Sequence, residues 1–189
     1  MGRLLLFTRG LWVLLRSRGA KRVHTVTLAA IGASLCALLV PIVHRQQLRL
    51  VWNASASVPL GLYRITPGAS VRVGDMVAVR PSPDLARFMA ARHYVEAGVV
   101  LLKPIAAVSG AIVCRRDQVV TIDGVPAARA LARDRFGRSL PVWSGCHRLQ
   151  PNEAFLLATR SSASFDSRYF GVVRTSQMLG RAKPIWTWS

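Results

Sequence analysis

The spacing of apolar and polar positions divides the chain in two. Residues 25–43, TVTLAAIGASLCALLVPIV, form an uninterrupted stretch without Asp, Glu, Lys, Arg or His. As a helix rising 1.5 Å per residue, this stretch measures about 28 Å, close to the ~30 Å hydrocarbon thickness of a bilayer. The pattern predicts a membrane-spanning helix over 23–43, with Pro41 tolerated near its end. A buried core helix and an interfacial helix are the alternative uses of such a stretch. Beyond residue 44 the apolar runs shorten and are punctuated by Gly, Pro and Asp-Gly, a pattern that predicts strands. VRVGDMVAVRP (71–81) turns at Gly74-Asp75 and stops at Pro81. AIVCRRDQVVTIDGVPAA (111–128) alternates around Asp123-Gly124, a hairpin signal. VVLLKPIAAV, EAFLLAT and SRYFGVV read as further strands. The one good helix candidate is SPDLARFMAARHYV, where Ser82 can cap, Pro83 suits the first turn, and Leu85, Phe88 and Met89 share a face. The polar segment 129–145, rich in Arg and broken by Gly and Pro, reads as an excursion from the sheet. The expected class of the portion after the apolar tract is therefore mainly β.

Charge orients this layout. The 189 residues carry 26 Lys and Arg against 8 acids, a net charge of +18. Such a balance implies an anionic partner, either lipid head groups, nucleic acid or an acidic protein. Before the apolar tract stand Arg3, Arg9, Arg16, Arg18, Lys21 and Arg22; just after it stand only Arg45 and Arg49, with His44. The positive-inside rule keeps residues 1–22 cytoplasmic, as an interfacial helix or a disordered tail, and exports residues 44–189. A cleavable secretory signal fits less well, because the apolar tract exceeds the usual ~7–15 residues and runs into PIVHRQQLRL rather than a cleavage pattern. Cys36 falls inside the span as a small apolar residue. Cys114 and Cys146 are an even pair in an oxidising compartment, which predicts a disulfide, with two free buried thiols as the alternative. A zinc site from Cys114, Cys146 and His147 lacks a fourth ligand, so neither metal nor cofactor is expected.

Standard catalytic motifs are absent: no Gly-x-Ser-x-Gly elbow, no phosphate-binding loop, no His-Glu-x-x-His. Three stretches remain. VWNASASVPLGLYRI (51–65) places Ser55 and Ser57 in a Pro/Gly turn soon after the span. Lys103 interrupts AGVVLLKPIAAVSGAIV, apolar on both sides. Buried there, an ammonium is costly and tends toward the neutral amine, a general base. With its head in water it would be an ordinary strand-end lysine. SSASFDSRYFGVV (161–173) gathers hydroxyls, an acid, a base and aromatics, where Asp166 and Arg168 could be no more than a surface pair.

In this order the three stretches resemble the type I signal peptidase superfamily of Ser/Lys, S26-like proteases, above all its TraF-type conjugative-transfer branch. The resemblance covers roughly residues 25–188. It implies a β-rich signal-peptidase-like catalytic domain over 44–189 with a small second-domain excursion at 115–145. It implies Ser57 as nucleophile, Lys103 as general base, and Ser55 with the Ser57 N–H as the oxyanion hole. Ser164 would hold the lysine, and Asp166, paired with Arg168, would be a further catalytic residue of the branch. The family usually has Lys-Arg followed by a Pro-Gly-Asp turn; here Pro104 follows Lys103 and VSGA replaces the turn, with Gly110 kept. Pro104 removes a ladder N–H, which predicts that its side of the strand faces an edge or a groove.

The implied activity is that of a membrane-anchored serine endopeptidase that cleaves, or cyclises, a conjugative pilin or related transfer precursor. A general type I signal peptidase is the alternative, and a non-catalytic pilus-assembly factor the alternative of another class. The implied setting is the bacterial inner membrane, with the N-terminus cytoplasmic and the catalytic domain periplasmic. Expected partners are a membrane-tethered pilin or secretory precursor, the conjugative transfer machinery and anionic lipid. Nucleic acid is not an expected partner, since an exported domain should rarely meet it.

Overall fold

The structure, a computed structural model, describes residues 23–37, 48–96 and 98–188. The chain divides into two units between Gln46 and Gln47. In the first, residues 23–37 form helix α1. Val23, Val26, Leu28, Ile31 and Leu35 are exposed on it, and Cys36 is a free, exposed thiol. No helix among the described residues is long and apolar enough to cross a membrane. The expected span reaches 43, so its last six residues lie outside the described ones, as does the basic segment 1–22.

The second unit is mainly β. One sheet has seven strands in the order β1 (Leu50–Asn53), β2 (Leu60–Thr66), β11 (Met178–Trp188), β3 (Met76–Val79), β4 (Leu101–Val108), β9 (Glu153–Leu156) and β10 (Val173–Arg174). A second sheet has four strands, in the order β7 (Val125–Arg129), β6 (Val119–Ile122), β5 (Ile112–Arg116) and β8 (Gly145–Arg148). All pairings are antiparallel. The second sheet leaves the first after β4 and returns before β9, so the excursion is an ordered sheet spanning 112–148, slightly wider than the expected 115–145.

The position of β4 explains its unbroken apolar run. It lies between β3 and β9 and separates two clusters. Leu102 joins Val58, Tyr63, Ile65, Ala78 and Ala182, while Ile105 joins Val77, Val79, Leu156 and Val173. Because side chains alternate along a strand, Lys103 projects on the face of Ile105, opposite Leu102. Val113 and Val120 of the second sheet share a third cluster with Leu149 and with Ala107 of β4 and Phe155 of β9, so the two sheets pack on a common core. Cys114 and Cys146 sit directly opposite each other across β5 and β8 and are bonded as a disulfide.

Local signals act as their chemistry dictates. Asp123 and Gly124 both adopt positive φ, 50° and 82°, as the tight turn joining β6 to β7 requires. Helix α2 (Pro83–Ala91) starts where Ser82 Oγ accepts the Leu85 N–H at 3.3 Å. At Gly61, in β2, a Cβ would drive into the carbonyl oxygen of Trp186, so the close approach of β11 admits only glycine there.

One expectation is corrected and another narrowed. SRYFGVV is not one strand: Ser167–Phe170 form a single helical turn, α3, and only Val173–Arg174 pair as β10. The Asp166 carboxylate caps the turn by accepting the Arg168 N–H, and Gly171 at φ 75° ends it, so capping overrides the strand preference of Tyr169 and Phe170. Of the two surroundings expected for Pro104, an edge or a groove, the edge is excluded, because β4 is an internal strand. Pro104 sits where the ladder to β9 begins, where its carbonyl accepts the Leu157 N–H at 3.1 Å, and the missing N–H falls at an irregular end of that ladder.

Candidate active site

Three segments converge on one point: the turn between β1 and β2, the middle of β4, and the loop leading into α3. The first is shaped by Asn53, the last residue of β1. Its Oδ1 accepts the Ser55 N–H at 3.1 Å, and its amide nitrogen faces the carbonyl oxygens of Ser55, Val58 and Pro59 at 2.9, 3.1 and 2.9 Å. A short polar side chain that bonds its own following backbone replaces a ladder and forces a turn. Tyr63 OH donates to the Pro59 carbonyl at 2.8 Å and pins the far side of the loop. The turn sets the Ser55 and Ser57 hydroxyls 3.0 Å apart, and the Ser57 N–H points at Ser55 Oγ at 3.4 Å.

From β4, Lys103 Nζ donates to Ser57 Oγ at 2.9 Å and to Ser164 Oγ at 2.9 Å. Lys103 is only 5% exposed, so it is not a strand-end lysine with its head in water. Burial pushes its amine down to about 8, helped by the Arg168 guanidinium and opposed by the Asp166 carboxylate. A lysine at an ordinary 10.5 would be neutral in about 0.03% of molecules at pH 7; at about 8 the neutral fraction is roughly 9%. A desolvated amine within hydrogen-bond reach of a hydroxyl meets the geometric requirement for proton abstraction.

Asp166 and Arg168 are no surface pair, being 0% and 2% exposed. Arg168 Nε and Nη2 donate to the two carboxylate oxygens at 2.8 and 3.0 Å, a bidentate fork. Asp166 also accepts the Ala158 N–H, and Arg168 reaches the carbonyls of Ser162 and Ala158. Among the described residues, no hydrogen bond joins Asp166 to Ser57 or Lys103. The pair stitches the 158–168 loop closed and so presents Ser164 to the lysine.

Of the six residues anticipated from the sequence, Ser55, Ser57, Lys103 and Ser164 form one chain of hydrogen bonds, and Asp166 and Arg168 form a separate buried pair in the loop that carries Ser164. Asn53 was not anticipated, although an Asn directly before a Ser-rich turn is an Asx-turn signal. Two surface hollows of about 450 and 470 Å³ lie elsewhere, beside Arg80–Pro83 with Arg174 and beside Ala106–Ala111.

Residues 21–188 match the profile of the family described as signal peptidase, peptidase S26. The chain belongs to the peptidase S26 family. The mainly β fold is that of a signal peptidase, and membership implies serine peptidase activity. Over 147 residues the chain is 33% identical to the plasmid transfer protein TraF of Escherichia coli, covering 72% of this chain and 82% of that protein. It is 36% identical over 146 residues to the conjugal transfer protein TraF of Agrobacterium fabrum, covering 71% and 81%. A solved signal peptidase I from Enterococcus faecalis superposes with a TM-score of 0.36 at 20% identity, covering 60% of this chain and 97% of that one.

Proposed function

We propose that this S26 peptidase is a membrane-anchored Ser/Lys endopeptidase that matures a conjugative pilin or related transfer precursor. The observation that carries the reading is the hydrogen bond of 2.9 Å between the buried Lys103 amine and Ser57 Oγ. Neutral Lys103 takes the Ser57 proton as Oγ attacks the scissile carbonyl. The resulting ammonium then returns that proton to the leaving amine as the acyl-enzyme forms. Ser55 Oγ, turning from Ser57 Oγ toward the substrate, and the Ser57 N–H hold the developing oxyanion, each worth about 3–4 kcal/mol in comparable sites. Ser164 keeps the lysine aimed, and Asp166 with Arg168 keeps Ser164 in place. Asp166 thus acts through position rather than by contact with reacting atoms.

The names of the relatives, plasmid and conjugal transfer proteins, favour a transfer precursor over a broad range of exported proteins. A span over 23–43 would place the nucleophile near membrane-held substrate at the inner membrane, with the catalytic domain periplasmic and the basic surface against anionic lipid. The acyl-enzyme is resolved by water, giving a linear product, or by the precursor's own amine, giving a ring. A non-catalytic assembly factor would have no use for a buried amine bonded to a serine. The test is co-expression with the pilin precursor of the same transfer system. Ser57→Ala and Lys103→Ala should leave the precursor unprocessed while the protein still inserts. Mass spectrometry then separates the linear product from the cyclic one, which is lighter by one water. Normal processing by either variant would refute the dyad, and equal processing of unrelated secretory precursors would favour the general signal peptidase.

A further inference from the structure

Helix α3 has only four residues, Ser167–Phe170, yet it directly follows the site residues Ser164 and Asp166 and contains Arg168. A single turn cannot hold itself: nucleation of so short a helix is unfavourable, and the Ser167 carbonyl has one helical partner, the Gly171 N–H at 3.0 Å. Further partners come from the excursion. Arg115 Nη1, from β5, donates to the Arg168 carbonyl at 2.6 Å. Trp143 Nε1, just before β8, donates to the Ser167 carbonyl at 3.0 Å. The Leu131 N–H, beyond β7, donates to Tyr169 OH at 3.0 Å. Three consecutive residues of α3 are each gripped once from the second sheet and its connections.

Arg115 is the unexpected member. It is 2% exposed on the core face of β5, and among the described residues it pairs with no carboxylate. Its partners are the carbonyls of Asp117, Pro141 and Arg168. A buried cation without a counter-charge is costly, and the carbonyl end of a helix is one place where it is favourable. The Cys114–Cys146 disulfide lies next to Arg115 and three residues from Trp143, so it holds the two strands at the spacing the grip requires.

We infer that Arg115 and Trp143 are positioning residues, through which the second sheet holds the α3 loop, and with it Ser164, against Lys103. The inference rests on the proposed dyad for its kinetic readout. The first experiment does not need that readout. The chain has three lysines, Lys21, Lys103 and Lys183. Competitive acetylation with acetic anhydride, followed across pH by mass spectrometry, titrates each separately in the full chain. Trp143→Phe keeps an aromatic ring, a smaller one, against Phe155 and removes the N–H. Loosening α3 admits water to Lys103; because burial is the main cause of its lowered pKa, the Lys103 titration should move up from about 8 toward 10.5.

Arg115→Met should shift Lys103 further in the same direction, and Arg115→Lys should recover part of the shift. In the precursor assay, Trp143→Phe should lower kcat about three- to tenfold, the worth of one hydrogen bond, with KM unchanged. An unshifted Lys103 titration in folded Trp143→Phe, or a KM change without a kcat change, overturns the inference. If Ser57→Ala still processes precursor, the dyad falls, but the labelling experiment still decides whether the second sheet controls Lys103.

Discussion

Lys103 should make the protein less stable at neutral pH than a variant that cannot be charged there. Its amine is held at about 8 in the fold against 10.5 unperturbed, so the unfolded chain binds its proton more tightly. The sign follows from linkage: the wild type gains stability as pH rises through this window, and the full penalty is present below about 8. A difference of 2.5 units corresponds to about 3 kcal/mol. Lys103→Met keeps the length and flexibility of the side chain and removes the charge. It also deprives Ser57 and Ser164 of a partner, at about 1 kcal/mol each. At pH 7 the variant should therefore be more stable by roughly 1 kcal/mol. Above pH 10.5, where the wild-type lysine is neutral in both states, it should be less stable by roughly 2 kcal/mol. Urea unfolding of both proteins between about pH 7 and pH 11 measures the difference, and every other titrating group cancels in it. A stability difference that does not change with pH would refute the buried-amine argument, whatever its sign.

The pH profile of kcat/KM should rise through an apparent pKa near 8, because only the neutral amine can accept the Ser57 proton; activity that is level from about pH 6 to pH 9 would exclude Lys103 as the base. Asp166→Asn breaks a bidentate pair that is fully enclosed and should destabilise by about 3–5 kcal/mol in thermal or urea unfolding, with Asp166→Asn/Arg168→Gln recovering part of the loss. Asn53→Ala leaves the carbonyls of Ser55 and Val58 without their side-chain donor and the Pro59 carbonyl with Tyr63 OH alone; it should cost about 1–3 kcal/mol of stability and lower kcat more than KM, since the nucleophile turn loses its brace.

How much of this could be read from the chain differs between the chemistry and its support. Ser57 and Lys103 drew notice through their surroundings, but the roles expected of them came from the resemblance to the Ser/Lys peptidases. A hydroxyl pair in a Pro/Gly turn and a lone ammonium in an apolar run both invite an explanation other than packing. The β-rich class was legible from short punctuated runs, and the β6–β7 turn from Asp123-Gly124. The α3 turn was misread because alternation and aromatic content say strand, whereas the deciding interaction is a cap from Asp166 that also serves a buried ion pair. The ordered second sheet was only partly legible, since 129–145 has the composition of a loop and is held by contacts between distant positions.

Arg115 shows why such support escapes a linear reading. In CRRD it looks like one of several surface arginines, beside Arg116, which is exposed. Only the fold shows that alternation along β5 turns Arg115 inward with Val113, and that its partner carbonyl lies 53 residues away. The same applies to Asn53, whose neighbours in sequence are its partners but whose importance depends on what Ser57 faces across the sheet. Reactive groups advertise themselves by being costly where they stand. The groups that hold them are satisfied where they stand, so they become visible only when the partners of each buried polar atom are followed to their ends.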